Sequence, residues 1–140
     1  MKKLTLLGLL MIALAGCGSF TETQGINLAG PIKTVAIGEF SGRDSGVVGI
    51  FKQTVQKELL QAGFKIITVN QNPDISFDGA VNYKSMNLFT IGISDWLLIA
   101  KNPNGELIQS VGYKRGYFYW DAQPRDISEK LAKNLIKNLR

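Results

Sequence analysis

Histidine is absent from these 140 residues and cysteine occurs once. Their scarcity excludes Ser-His-Asp and Cys-His catalytic pairs, histidine-bearing or multi-cysteine metal sites, and any intramolecular disulfide. Charge is modest too: 16 basic residues face 11 acidic ones, and two of the basic ones, Lys2 and Lys3, lie in the first three positions. An imbalance that small does not argue for nucleic acid. Proline is rare, with four residues, and no apolar run is long enough to cross a bilayer as a helix. What remains is 45% hydrophobic and 19% charged, the composition of one folded domain with a modest core rather than a disordered tail.

The first twenty residues carry the most specific signal. Met1-Lys2-Lys3 is a positive start, and Leu4 to Ala15 is an apolar stretch of twelve residues. About 20 are needed to span the hydrocarbon core, so the stretch reads as a signal peptide, residues 1–16. It closes on Leu14-Ala15-Gly16-Cys17, which resembles the lipobox of bacterial lipoproteins at all four positions. The resemblance implies cleavage before Cys17, acylation of its thiol, and a near-permanent membrane anchor, since each buried methylene contributes about 0.8 kcal/mol. Gly18 follows the cysteine in place of Asp, which implies the outer membrane, periplasmic face. In a single-membrane source the same anchor would hold the domain on the outer face of the plasma membrane.

Residues 17–31 are polar, rich in small side chains and without a period, and are expected to be a lipidated cysteine and tether, with Ile26 and Leu28 able to dock locally. The folded domain is expected over 32–140. Ile32 to Phe40 predicts a buried strand. The recurrence of Val48, Phe51, Val55, Leu59 and Ala62 predicts an amphipathic helix, with Gly63 as its left-handed end and Phe64 packing back on Leu59. Phe64 to Val69 predicts a second strand, parallel to the first. Ile75 to Lys84 alternates as a third, with Gly79 as a candidate bulge. Met86 to Ser94 fits either strand or loop. Asp95 to Lys101 and Glu106 to Trp120 predict a hairpin around Asn102-Pro103-Asn104-Gly105, with Pro124 closing the second strand. Asp126 and Glu129 have capping-box spacing before a last helix that aligns Ile127, Leu131, Leu135 and Leu139. The order β-α-β-β-β-β-α predicts an α+β two-layer sandwich, one mixed sheet with two helices on one face. Its other face is left for solvent or a partner.

Three features invite a functional reading. Gly38, Gly42, Gly46 and Gly49 surround a strand-to-helix turn where backbone N–H groups could receive an anion, but no Lys-Ser or Lys-Thr follows, and a plain connection explains them as well. Tyr113, Arg115, Tyr117 and Tyr119 fall at period two, with Lys114, Phe118 and Trp120 on the other face. One of these faces is surplus to a two-layer core, so the first set is a candidate partner or ligand surface, unless it packs under the helices. Lys130, Lys133, Lys137 and Arg140 form a basic stripe on the last helix, a solvated face or a contact for anionic lipid or glycan. No pair of carboxylates stands out by spacing, so no catalytic residue, no enzyme activity, no metal and no cofactor is expected.

The lipobox, Val35-Ala36-Ile37 in the first strand, Leu59-Leu60-Gln61-Ala62-Gly63 at the helix end, and strand-Asn104-Gly105-strand before a terminal helix together resemble small bacterial lipoproteins of the YajG type. The same topology is similar to the amino-terminal α/β domain of TolB and to the periplasmic domains of curli-secretion and penicillin-binding-protein-activator lipoproteins. The lipopolysaccharide-assembly lipoprotein shares the strand-helix-strand opening, but its Gly-Phe-x-Leu-Arg-Gly segment is replaced here by Gly25-Ile26-Asn27-Leu28-Ala29-Gly30. Lipidation at Cys17 is the one functional residue the resemblance implies. The expected role is an envelope adaptor or assembly factor held at the membrane that binds another envelope protein. The alternative is a module for glycan or lipopolysaccharide.

Overall fold

A computed structural model describes residues 18–85, 92–115 and 123–140. Cys17, Tyr117 and Tyr119 lie outside the described residues. Within them run β1 (Ser19–Gln24), β2 (Thr34–Gly42), α1 (Ser45–Gln61), β3 (Lys65–Ile67), a 3-10 turn (Val69–Gln71), β4 (Ile75–Lys84), β5 (Ile93–Lys101), β6 (Leu107–Lys114) and α2 (Pro124–Asn138). The strands form one six-stranded sheet in the order β1-β6-β5-β4-β2-β3. β2 pairs in parallel with both β3 and β4, and the other pairs are antiparallel, so the sheet is mixed, as the sequence predicts.

Alternation along the strands builds the core. Val35, Ile75, Phe77, Val81, Trp96, Leu98, Val111 and Tyr113 turn to one face and meet Phe51, Val55 and Leu59 of α1 and Ile127, Leu131 and Leu135 of α2 in one cluster. Burial of side chains this size contributes roughly 1.5–3 kcal/mol each. Phe51 sits at the centre, edge-on to both Trp96, at 5.1 Å, and Phe40, at 5.2 Å.

Local signals place the helices. Asp44 caps α1, its Oδ1 accepting from the N–H groups of Gly46 and Val47 at 2.9 and 3.1 Å. At the other end Gly63 has φ +90°, and the N–H groups of Gly63 and Phe64 reach back to the carbonyls of Leu60 and Leu59. That is the Schellman end predicted for this helix. The hairpin also forms as predicted: Gly105 takes φ +82°, and the Asn102 side chain accepts from the N–H groups of Asn104 and Glu106.

Four expectations need correction. The segment expected to be a tether enters the sheet: Ser19 to Gln24 pair residue by residue with Lys114 to Gln109. Gly25 and Ile26 continue the hydrogen bonding, and Leu28 packs against the core. The domain therefore begins well before residue 32, with a sixth strand at the edge. The bulge falls in β2, between Ile37 and Phe40, while Gly79 stays in register with Leu98; the rings of Phe40 and Phe51 occupy the space its β-carbon would need. α2 starts at Pro124, whose missing N–H costs nothing at a helix N-terminus, so Asp126 lies inside the first turn and caps nothing. The second predicted strand shortens to Lys65–Ile67, and a 3-10 turn capped by Thr68 and Gln71 takes over its end.

Candidate functional site

Both helices lie over one face, so no described helix covers the other face of the sheet. Its middle is a row of small side chains running across five strands. Ser41 pairs with Ala80, Ala80 with Leu97, Leu97 with Gly112, and Gly112 with Thr21. With strands about 4.8 Å apart, the row is about 19 Å long. Leu97, 39% exposed, is its one large apolar side chain.

Together with one neighbouring row it lines a shallow groove of about 530 Å³. Toward the end where β6 finishes, Asn82, Asp95, Lys114 and Ser19 line up across the strands. The next row on the other side, Asp78, Ile99, Ser110 and Thr23, lies outside the groove lining. Asp78 is fixed there: Oδ1 accepts the Glu39 N–H at 2.9 Å, and Oδ2 holds the Lys101 ammonium at 2.5 Å. The floor is tight at Gly112, where a β-carbon would meet Thr21 Oγ1 at 2.8 Å. A floor of small side chains around Leu97 with a polar row on one side suits an apolar group that protrudes beside hydrogen-bonding partners.

The residues predicted to form a surface are only partly brought here. Tyr113 is a correction: it faces the helices as part of the core cluster, 6% exposed, with the partly exposed Phe20 ring tilted against it. Sheet alternation gave its face correctly, but that face is the one the helices cover. Arg115 is half-buried just past β6, its N–H bonded to the Ser94 carbonyl at 3.0 Å. Lys114, predicted opposite Tyr113, does lie on the uncovered face. The residues that line the groove carried no sequence signal, since Ser41, Ala80 and Gly112 become neighbours only through register.

The other candidates resolve into structure. The glycine-rich turn is a plain connection, because Asp44 already takes the N–H groups an anion would need. In the basic stripe, Lys133 pairs with Glu129 and Arg140 donates to the Ala62 carbonyl, leaving Lys130 and Lys137 exposed. A second cleft of about 400 Å³ lies between the ends of β1, β6 and α2, lined in part by Gln24, Asn27, Gln109 and Asn138. Gln109 is 3% exposed, and its Nε2 meets no acceptor among the described residues. Among the described residues no group of three or more His, Cys, Asp or Glu is arranged to hold a metal ion. No described helix is long and apolar enough to cross a membrane.

No family model and no curated protein matches the sequence, so the resemblance to the YajG type has no sequence match behind it. Solved structures do match. The chain is similar to the PelC dodecamer from Paraburkholderia phytofirmans at 16% identity and TM-score 0.58, over 87% of this chain and 96% of that one. It is also similar to a DUF4136 family protein from Bacteroides thetaiotaomicron, at 4% identity and TM-score 0.50, over 87% and 93%. The lipoprotein GNA1162 from Neisseria meningitidis superposes more loosely, at 14% identity and TM-score 0.43, over 77% and 98%. The first two likenesses show a shared α+β fold.

Proposed function

We propose that this chain is an acyl-anchored envelope domain without catalytic activity that binds another envelope protein across the uncovered face of its sheet. The observation that carries the reading is the groove of Ser41, Ala80, Leu97, Gly112 and Thr21, with Leu97 exposed beside the polar row of Asn82, Asp95, Lys114 and Ser19. The anchor rests on Leu14-Ala15-Gly16-Cys17, and Gly18 after the cysteine favours the outer membrane, periplasmic face. The non-catalytic part is supported by what the carboxylates do. Asp44 caps a helix, Asp74 binds the N–H groups of Lys33 and Thr34, Asp78 holds a bulge, and Glu129 pairs along α2.

Confinement by lipid raises the effective concentration of the domain at the membrane, so a small interface suffices. The dodecamer formed by the PelC neighbour supports one version of this reading, in which the partner is another copy of the chain. A photo-crosslinking residue at Leu97 in living cells tests the proposal. A discrete protein adduct, lost in Ala80→Arg, is expected. An adduct at a multiple of the chain's own mass selects self-assembly. Adducts with glycan or lipopolysaccharide alone move the function to the ligand-binding alternative, and no adduct from a folded variant removes the groove as the docking surface.

A further inference from the structure

We propose that the end of the sheet where β1 begins and β6 ends lies flat on the bilayer, with Lys84 and Lys114 against phosphate-bearing lipid headgroups. The inference rests on acylation of Cys17. Only Gly18 separates that cysteine from β1, and a chain reaches at most about 3.6 Å per residue, so the leash is about 7 Å long. Its path is fixed as well. Gly18 lies against the Tyr113 ring, which occupies the space its β-carbon would need, so the chain leaves the domain at a defined place. An anchor this short brings whatever surrounds Ser19 to the headgroups.

The topology says what surrounds it. Ser19 pairs with Lys114, Lys114 with Asp95, and Lys84 with Ile93. β2 ends nearby at Gly42, paired with Val81. Both helices also begin at this end, directing the partial positive charge of their N-termini to the same side. Exposed Arg43, Lys84, Lys114 and Arg125 lie among its charges, against Asp44, Asp95 and Asp126. Asp44 is already committed to the α1 cap. The far end carries Lys33, Lys65 and Lys137, so charge does not choose between the ends; the leash does. Charge then adds attraction from each basic residue within a Debye length of anionic lipid. One consequence reaches the groove: its row lies two residues in from Lys114, about 7 Å, whereas the hairpin tip at Asn104 stands some 25 Å or more away. A partner must therefore dock close to the membrane surface.

The test uses the full-length lipoprotein, purified and reconstituted in phosphatidylethanolamine–phosphatidylglycerol vesicles. Acylation blocks Cys17, so a cysteine introduced as Lys84→Cys, Lys114→Cys or Asn104→Cys is the only reactive thiol. Labelling of the unsubstituted protein by a maleimide would show a free Cys17 and end the anchor reading itself. With Cys17 blocked, fluorophores at 84 and 114 are expected to lose most of their emission to spin-labelled headgroups, and the one at 104 to keep it. Equal quenching at all three sites, or stronger quenching at 104, overturns the orientation while leaving the anchor intact. Inserting a ten-residue Gly-Ser segment between Gly18 and Ser19 is expected to remove the contrast. If the contrast survives, the short leash does not set the orientation and the proposal fails.

Discussion

Phe20 sits directly opposite Tyr113 across the β1–β6 pair, the two rings 4.9 Å apart and tilted by 50°. This contact gives β1, all six residues of which are exposed, a side-chain grip on the core. The rest of its hold is main-chain pairing and a hydrogen bond from the Asn138 side chain of α2 to the Glu22 carboxylate, at 3.1 Å. Phe20→Ala is expected to destabilise the protein by about 1 kcal/mol. Hydrogen exchange should show the loss locally: amides of β1 exchange faster, while those of β5 keep their protection. Uniform acceleration over the whole sheet would mean that β1 is not a separable edge.

The same strand shows where the sequence was readable and where it was not. Val35, Phe51, Leu59, Phe77, Leu98 and Leu131 repeat at periods that reveal their buried faces, and from patterns of this kind both helices and five of the six strands are legible. Ser19 to Gln24 has no apolar alternation beyond Phe20, because an edge strand exposed on both faces needs none. Its place depends on pairing with β6, a partner some 90 residues away, as the register of Ser19 with Lys114 makes plain. The groove was hidden for a related reason. Ser41, Ala80 and Gly112 are unremarkable apart, and only the register makes them a floor. Tyr113 was misplaced because alternation tells which residues share a face, not which face the helices will cover.

Asp78 joins three strands, accepting from Glu39 of β2 and pairing with Lys101 of β5. Gly38 lies against its carboxylate, with no space for a β-carbon. The bulge in β2 is thus tied to the uncovered face of the sheet, in the row beside Ala80. Asp78→Ala leaves the Glu39 N–H without this acceptor and is expected to cost about 1–2 kcal/mol. Denaturant melts measure the loss. Lys101→Met should cost less, because it spares the Glu39 bond, and a larger loss there would assign the work to the ion pair instead.

Gln109 is a buried carboxamide whose Nε2 has no acceptor among the described residues. An unpaired buried donor costs about 1–3 kcal/mol, so Gln109→Met, similar in length and apolar, is expected to raise the melting temperature. Its packing stays against the second cleft, where Ile108 and Leu139 already supply apolar contact. A lower melting temperature would show that the amide is satisfied in solution, and a bound water would be the first group to look for.

Asp74 supplies the pH dependence. Its Oδ2 accepts the N–H groups of Lys33 and Thr34, each at 2.8 Å, locking the start of β4 to the start of β2. These bonds, the Thr34 one foremost, hold its carboxyl below the ordinary value of 3.8. The unfolded chain binds a proton more readily at this site than the folded one does. The stabilisation is therefore complete above the unfolded value and falls away as the pH drops through the folded one. Asp74→Asn keeps an oxygen acceptor but loses the charge, and the exposed setting limits the cost to about 1 kcal/mol at neutral pH. The variant and the unsubstituted protein should converge in stability as the pH is lowered below 3.8 toward the folded value. A gap that stays constant from neutral to acid pH would place the effect of the substitution in packing rather than in the carboxylate.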